Sequence, residues 1–143
     1  MADPKYVLWV QPSCNAGTTA ANFTKTAVGL PFAHLWEAEF RIPPGHQGTT
    51  GIALWDSGAF VIPKADPGPA WLIGDDDLLP YPYDKELGAN VQLVTYNNGS
   101  FVHTWQVRLV YTPMTLMGAD DQVIITPDVA DWLAESGAEL GEG

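Results

Sequence analysis

The 143-residue sequence has a single cysteine, only six lysines and arginines, and no long apolar run. Cys14 has no partner for an intrachain disulfide, so we expect the fold not to depend on an oxidising compartment. No apolar stretch approaches the roughly 18 residues that a membrane-spanning helix requires. The N-terminus also lacks the basic and apolar segments of a signal peptide. These absences predict a protein that is made in a cytoplasm and has no membrane partner.

Positive charge is scarce. Seventeen Asp and Glu residues against six Lys and Arg give a formal net charge of −11 at pH 7. Each contact to a phosphate requires a compensating cation, so this balance excludes nucleic acid as an expected partner. The same charge is expected to favour solubility and to resist self-association of the free protein.

Turn-forming residues are abundant, with 12 prolines and 14 glycines spread along the chain between short apolar runs. This texture favours an all-β fold. Residues 33–42 alternate, which indicates a strand with one face in the core. One predicted face carries Trp36, Ala38, Phe40 and Ile42, and the other carries Glu37, Glu39 and Arg41. Asp56-Ser57-Gly58 and Asn98-Gly99 predict two hairpin turns. We therefore expect an antiparallel β-sandwich or small jelly roll of about eight strands.

The pattern predicts one globular domain with three parts. Residues 1–30 read as a short strand followed by an extended N-terminal arm, because "CNAGTTAANFTKTAVG" has neither helical nor strand periodicity. Residues 31–113 form the sandwich core. Residues 114–143 are expected to be a linker, a short strand at "QVIIT" and a short C-terminal helix with an acidic tail, the helix capped by Thr126.

The sequence contains no recognisable catalytic constellation, so we expect no catalytic residues, no cofactor and no enzymatic activity. His34, His46 and His103 lack the spacing of a zinc site, and no phosphate-binding loop is present. Cys14 has no neighbouring group to activate its thiol. Glu37 and Glu39 leave an acid–base hydrolase as an alternative. They lie about 7 Å apart along the strand, a separation that some inverting glycosidases use.

Asp75, Asp76 and Asp77 form the densest acidic cluster before the C-terminus. Three carboxylates on one loop are a weak candidate for a calcium site, but the spacing of an EF-hand is missing. The simpler interpretation is a solvated turn in which aspartates cap backbone donors. No metal is therefore expected.

The stretch "PPGHQG" at 43–48 raises the question of whether His46 is a catalyst or part of a shaped turn. Gly45 and Gly48 supply backbone angles closed to other residues, so we interpret His46 as a polar contact. Aromatic, proline and polar residues in predicted loops and in the C-terminal helix are candidate partner contacts. They are Pro44, His46, Gln47, Trp55, Trp71, Trp132 and Leu133.

Between residues 33 and 113, the strings "IPPGHQGTTGIAL", "VIP", "WLIGDDD" and "TYNNGSFVHTWQVRL" resemble small β-sandwich proteins encoded among the virion structural genes of tailed bacteriophages. The matching positions are Pro43, Pro44, Gly45, His46, Gly48, Gly51, Asp75, Asp76, Tyr96, Asn97, His103 and Thr104. The resemblance implies a non-enzymatic virion protein that decorates and stabilises the capsid.

On that interpretation the subunit binds the major capsid protein or another virion protein and forms a homo-oligomer, a trimer or dimer. It is made in the host cytoplasm and ends in the virion. The alternative is a carbohydrate-binding adhesin of a tail or head fibre, in which Trp55 and Trp71 stack on sugars and calcium sits at residues 75–77.

Overall fold

The computed structural model describes residues 4–64 and 69–116. In these ranges the chain forms ten strands and two short 3-10 turns, at Ala20–Asn22 and Met114–Leu116. The strands are β1 (Tyr6–Val10), β2 (Ser13–Cys14), β3 (Thr24–Ala27), β4 (Ala33–Ile42), β5 (Thr50–Asp56), β6 (Ala59–Ile62), β7 (Asp77–Leu87), β8 (Val91–Asn97), β9 (His103–Thr104) and β10 (Gln106–Pro113). The predicted all-β fold is confirmed. None of the helical segments described is of a length and apolarity that would let it span a membrane.

The strands form two four-stranded antiparallel sheets and one small ladder. The first sheet has the order β1-β10-β4-β7, the second sheet has the order β3-β8-β5-β6, and β2 pairs with β9. The pairings are nested: β1 with β10, β2 with β9, β3 with β8, β4 with β7 and β5 with β6. The chain is thus one long hairpin with its tip at β5–β6, folded over on itself. Nested pairing of this kind is jelly-roll connectivity.

Side chains from the facing sides of the two sheets fill the space between them. The core includes Leu35, Phe40 and Ile42 from the first sheet and Ile52, Leu54 and Leu93 from the second, all 0% exposed. Burying each such side chain contributes about 1.5–3 kcal/mol. Trp105, just before β10, is also fully buried and belongs to the same cluster.

The prediction of an extended arm over residues 1–30 is wrong in the residues that the structure describes. β1 is the edge strand of the first sheet and β3 is the edge strand of the second. Cys14, Val28 and Leu30 are buried in the core. The segment lacks sequence periodicity because its strands are short and lie in three different ladders. The sandwich therefore extends over Lys5–Met114, beginning well before residue 31.

The two predicted hairpins have opposite outcomes. Asp56 pairs with Ala59 around Ser57 and Gly58, which have φ values of 52° and 98°, so this hairpin is confirmed. The Asn98-Gly99 hairpin is wrong. β8 pairs with β3 and β5 in the second sheet, whereas β10 lies in the first sheet. The turn at residues 98–99 instead begins a crossing from one sheet to the other.

The alternation predicted for β4 holds from residue 38 to residue 42 but fails at Trp36. The pairings of β4 with both neighbours shift register at this point, between Leu35 and Glu37 in the pairing with β7. This bulge places Leu35 in the core and leaves Trp36 only partly buried. The Trp36 indole nitrogen donates to Thr112 Oγ1 at 2.8 Å, and its ring lies 4.2 Å from that of His34.

β7 is an edge strand of the first sheet. Pro80 and Pro82 occupy alternate positions on it and pair with Glu39 and Glu37. Proline is tolerated in sheets where its missing N–H faces away from the ladder. Two outward donors are therefore absent from this edge, which blocks the addition of another strand.

The predicted strand at "QVIIT", the C-terminal helix, and the candidate contacts Trp132 and Leu133 lie outside the described residues.

Candidate functional site

His46 is an internal residue of the sandwich, only 1% exposed. Its Nε2 lies 3.1 Å from the carbonyl oxygen of Thr104, and its Nδ1 lies 2.7 Å from Thr50 Oγ1. The imidazole centroid is 4.3 Å from that of His103 and 4.9 Å from that of Trp105. The hypothesis that His46 makes a polar contact within the protein agrees with this geometry. His46 as a partner-binding residue is wrong, because no usable surface remains on it.

The hydrogen bonds define the tautomer of His46. A carbonyl oxygen only accepts, so Nε2 carries the proton and donates to Thr104, while Nδ1 accepts from the Thr50 hydroxyl in the neutral ring. Burial lowers the pKa of His46, and this effect outweighs the hydrogen bond to Thr104, which raises it. The nearby His103 lowers the pKa further, and Asp75 raises it. His46 is thus a neutral structural group that links the loop before β5 to the strand pair at Thr104.

The acidic cluster at residues 75–77 organises backbone. Asp75 Oδ1 accepts from the N–H groups of Gly45 at 2.8 Å and Gln47 at 3.0 Å, and these bonds lower the pKa of Asp75. Asp76 Oδ1 accepts from Arg41 at 2.8 Å, and Asp77 Oδ2 accepts from the Asp75 N–H at 2.9 Å. Among the residues described, no group of three or more His, Cys, Asp or Glu side chains could hold a metal ion. Asp75 and Asp77 therefore cap backbone donors, and Asp76 forms an ion pair with Arg41.

Some of the residues that carried the phage resemblance lie together in the structure, namely Gly45, His46, Asp75 and Thr104. Asp75 holds the turn at residues 43–48 from one side, and His46 ties the same turn to Thr104 from the other. Asn97, which is fully buried, donates from Nδ2 to the carbonyl oxygens of Cys14 and Phe101 at 3.0 and 2.7 Å. The hydrogen bonds of these residues hold separate segments of the chain together at one end of the sandwich.

The hydrolase alternative depends on Glu37 and Glu39. Both carboxylates form ion pairs with the same side chain, that of Arg108. Arg108 lies opposite them on β10, with Nη2 2.9 Å from Glu37 and Nε 3.1 Å from Glu39. The hydrogen bond to Glu39 is the largest cause of the raised pKa of Arg108. The two carboxylates thus lie side by side on one strand and share one guanidinium, rather than facing each other across a cleft.

The outer face of the first sheet is apolar at both edges and charged along the middle. Paired residues share a face, so one row runs Val7, Val110, Glu37, Pro82 and the next runs Trp9, Arg108, Glu39, Pro80. Leu78 shares this face through its pairing with Arg41. Val7 is 52% exposed, Trp9 63% and Leu78 56%. We call Val7, Trp9 and Leu78 the exposed apolar edges.

Trp55 and Trp71, predicted as partner contacts, belong to one aromatic cluster on the outer face of the second sheet. The cluster consists of Phe23, Trp55, Phe60, Trp71 and Tyr96. Trp71 lies 4.9 Å from Tyr96, 5.2 Å from Phe60 and 5.6 Å from Phe23, in edge-to-face geometry. Lys25 covers the Trp55 ring at 4.5 Å. The rings therefore pack mainly on one another, as a small second hydrophobic cluster.

A groove of about 430 Å³ opens beside this cluster, between the edge strands β6 and β7. Residues 60–64 line one side, and Tyr81, Pro82, Tyr83 and Lys85 line the other. The volume falls within the range of about 300–1,000 Å³ that is typical of ligand sites. Burial, followed by the charge of Asp56, raises the pKa of Tyr83. We refer to this feature as the edge groove.

Pro44 and Gln47, the remaining predicted contacts, are exposed on the turn before β5. Sequence reasoning missed the exposed apolar edges and the edge groove. The spacing of Tyr81, Tyr83 and Lys85 at alternate positions was a usable signal for one wall of the groove. The opposite wall comes from β6, some 20 residues earlier, and no local pattern joins the two.

Neither the models of known protein families nor the curated protein sequences include a match to this chain.

Proposed function

We propose that the chain is a non-enzymatic structural subunit of a tailed-phage particle that decorates and stabilises the capsid by binding the major capsid protein. It is made in the host cytoplasm, is incorporated into the virion, and acts there as a dimer or trimer. The jelly roll supports this proposal only in a general way, since capsid proteins, lectins and many other proteins use it.

The main support for the proposed capsid binding comes from the exposed apolar edges. Val7 and Trp9 lie on β1, whose five residues contain no charge and no proline, whereas the opposite edge β7 is interrupted by two prolines. An uncharged edge strand exposing large apolar side chains is a strong candidate for association with another chain. In a protein of net charge −11, such a patch lets a partner approach with little charge repulsion.

The experiment compares the binding of purified protein to capsids that lack it. Wild-type protein should co-sediment with capsids at a fixed stoichiometry, and Trp9→Glu should reduce binding about tenfold or more, because it buries a charge in the contact. Ala27→Glu, which adds the same charge to the edge strand of the second sheet, should bind as wild type. Wild-type binding by Trp9→Glu would show that another surface docks. Failure of the wild-type protein to bind any particle fraction would overturn the structural role.

One observation favours a second function, a carbohydrate-binding adhesin of a phage fibre. The edge groove has the volume of a small-ligand site and is lined by aromatic and proline side chains. Saturable binding of any oligosaccharide, detected by calorimetry, would support this function. If this function is correct, a bound oligosaccharide should contact the residues of the edge groove and not those of the exposed apolar edges.

A further inference from the structure

The edge groove combines an apolar lining with unpaired positive charge. Two of the six basic residues of this acidic chain, Lys64 and Lys85, are on its wall. In the part of the chain that the structure describes, the ion pairs of basic residues involve His34, Arg41 and Arg108, and neither groove lysine has a carboxylate partner. The charge of Asp56 acts on Tyr83, and its carboxylate accepts a hydrogen bond from the Gly88 N–H at 2.9 Å.

Tyr81, Tyr83 and Lys85 occupy alternate positions of β7 and line the groove. The two tyrosines are partly buried, and the side chains of Lys64 and Lys85 are exposed at the rim of the groove. The Lys85 ammonium lies 5.8 Å from the centroid of the Tyr83 ring. The hydroxyl groups of Tyr81 and Tyr83 make no hydrogen bond with any described residue. The groove thus offers two flat rings, two free hydroxyls and two cations.

We propose that the edge groove binds an acidic saccharide residue, a pyranose bearing a carboxylate. The rings of Tyr81 and Tyr83 contact the apolar C–H face of the sugar, their hydroxyls bond sugar hydroxyls, and Lys64 and Lys85 pair with the carboxylate. This inference rests on the second candidate function, carbohydrate binding. It is independent of the capsid contact through the exposed apolar edges.

Other ligand classes fit the groove less well. A peptide that extends the sheet needs backbone donors on the edge strand, and β7 lacks them at Pro80 and Pro82. Nucleic acid requires a wider run of cations than two lysines in a chain of charge −11. A neutral sugar would leave both lysines without a counter-charge.

The test uses trigalacturonate as the probe, with its full methyl ester as a neutral ligand of the same shape and triglutamate as an acidic ligand without rings. Binding to the full chain is measured by calorimetry, and the site by amide chemical shifts. We expect trigalacturonate to bind about tenfold or more tightly than the ester. Shifts should concentrate at residues 60–64 and 81–85.

Matched variants distinguish the effect of removing the lysine charges from the effect of disturbing the fold. Lys64→Gln with Lys85→Gln should lower trigalacturonate affinity about tenfold or more, and the corresponding double arginine variant should retain binding. Lys25→Gln removes a lysine that lies over Trp55, outside the groove lining, and should leave affinity unchanged. Amide spectra of each free variant establish that it is folded.

Three results would overturn the inference, each in a different way. Equal affinity for the acid and its ester would reject the acidic class while leaving carbohydrate binding intact. Equal or tighter binding of triglutamate would assign the groove to acidic peptides. Absence of binding by either saccharide up to about 10 mM would reject both the inference and the carbohydrate-binding function.

Discussion

The imidazole of His46 and the hydroxyl of Thr50 are joined by a 2.7 Å hydrogen bond, and each residue is only 1% exposed. His46 lies in the loop that leaves the first sheet, and Thr50 is the first residue of β5 in the second sheet. The bond therefore fixes the point at which the chain crosses the sandwich. Because the ring is buried without a counter-ion in hydrogen-bond contact, its protonation state is tied to folding.

We expect stability to decrease on acidification through this histidine. The pKa of His46 is lowered in the folded state, so the unfolded chain takes up the proton first as pH falls through about 6.5. The contribution is fully present above that pH and is lost as pH falls toward the folded-state pKa. Urea unfolding followed by tryptophan fluorescence at about pH 7.5 and 5.5 measures it.

His46→Asn should be less stable than wild type by about 1–3 kcal/mol at the higher pH and should lose less stability between the two pH values. His34→Asn changes a partly buried histidine whose Nε2 lies 2.8 Å from Asp84 Oδ1, and it is the comparison. A pH dependence in His46→Asn identical to that of wild type would contradict the assignment.

Asn97 should be one of the most sensitive polar positions, since one side chain ties three segments together. Besides its two donated bonds, its Oδ1 accepts from the Gly99 N–H at 2.8 Å. Asn97→Ala leaves buried backbone groups unpaired, so we expect a loss of about 3 kcal/mol in the free energy of unfolding. The exposed neighbour Asn98→Ala should change it by about 0.5 kcal/mol or less. Similar losses for both would refute the interpretation.

Gly51 and Tyr96 should be energetically coupled. They pair across β5 and β8, and a methyl group at position 51 would overlap the Tyr96 ring. Gly51→Ala should therefore destabilise the protein by about 1–3 kcal/mol through overpacking. In a protein that already carries Tyr96→Ala, Gly51→Ala should reduce the free energy of unfolding by clearly less, because the ring that its methyl group would overlap is absent. Strict additivity in a double-mutant cycle would argue against the contact.

Truncation distinguishes an N-terminal arm from structural strands. A chain beginning at residue 31 lacks β1, β2 and β3 and the buried side chains of Cys14, Val28 and Leu30. We expect it to lose cooperative thermal unfolding. A chain of residues 1–116 retains every strand described and should unfold cooperatively. A folded product starting at residue 31 would restore the arm hypothesis.

Local patterns predicted the features that depend on neighbouring residues. Alternation assigned the core positions of β4 from Ala38 to Ile42, and turn composition located the Ser57-Gly58 hairpin. The Asn98-Gly99 prediction was wrong although the turn residues are suitable. The same dipeptide can reverse a strand into a hairpin or start a crossing, and the partners of β8 and β10 decide between them. Trp36 was misplaced because a bulge changes the phase of a strand without a sequence signal.

For the candidate functional residues too, the sequence identified the residues, and only the tertiary structure showed their contacts. Sequence composition selected Trp55 and Trp71, but the packing of both rings against Phe23 depends on segments that are distant in the chain. His46 was placed in a polar turn, and its burial follows from contacts with Thr104 and His103, more than 50 residues away. Asp75 was interpreted as a capping residue, and the donors that it caps lie some 30 residues earlier.

By itself, the sequence determined an acidic, turn-rich all-β chain without a motif for catalysis, because charge and residue periodicity act locally. Only the tertiary structure decided which strands pair, which polar residues are buried, and where two strand edges leave a groove. Those outcomes depend on closing a nested hairpin across the whole domain, so that residues far apart in the chain share one face, one hydrogen bond or one cavity.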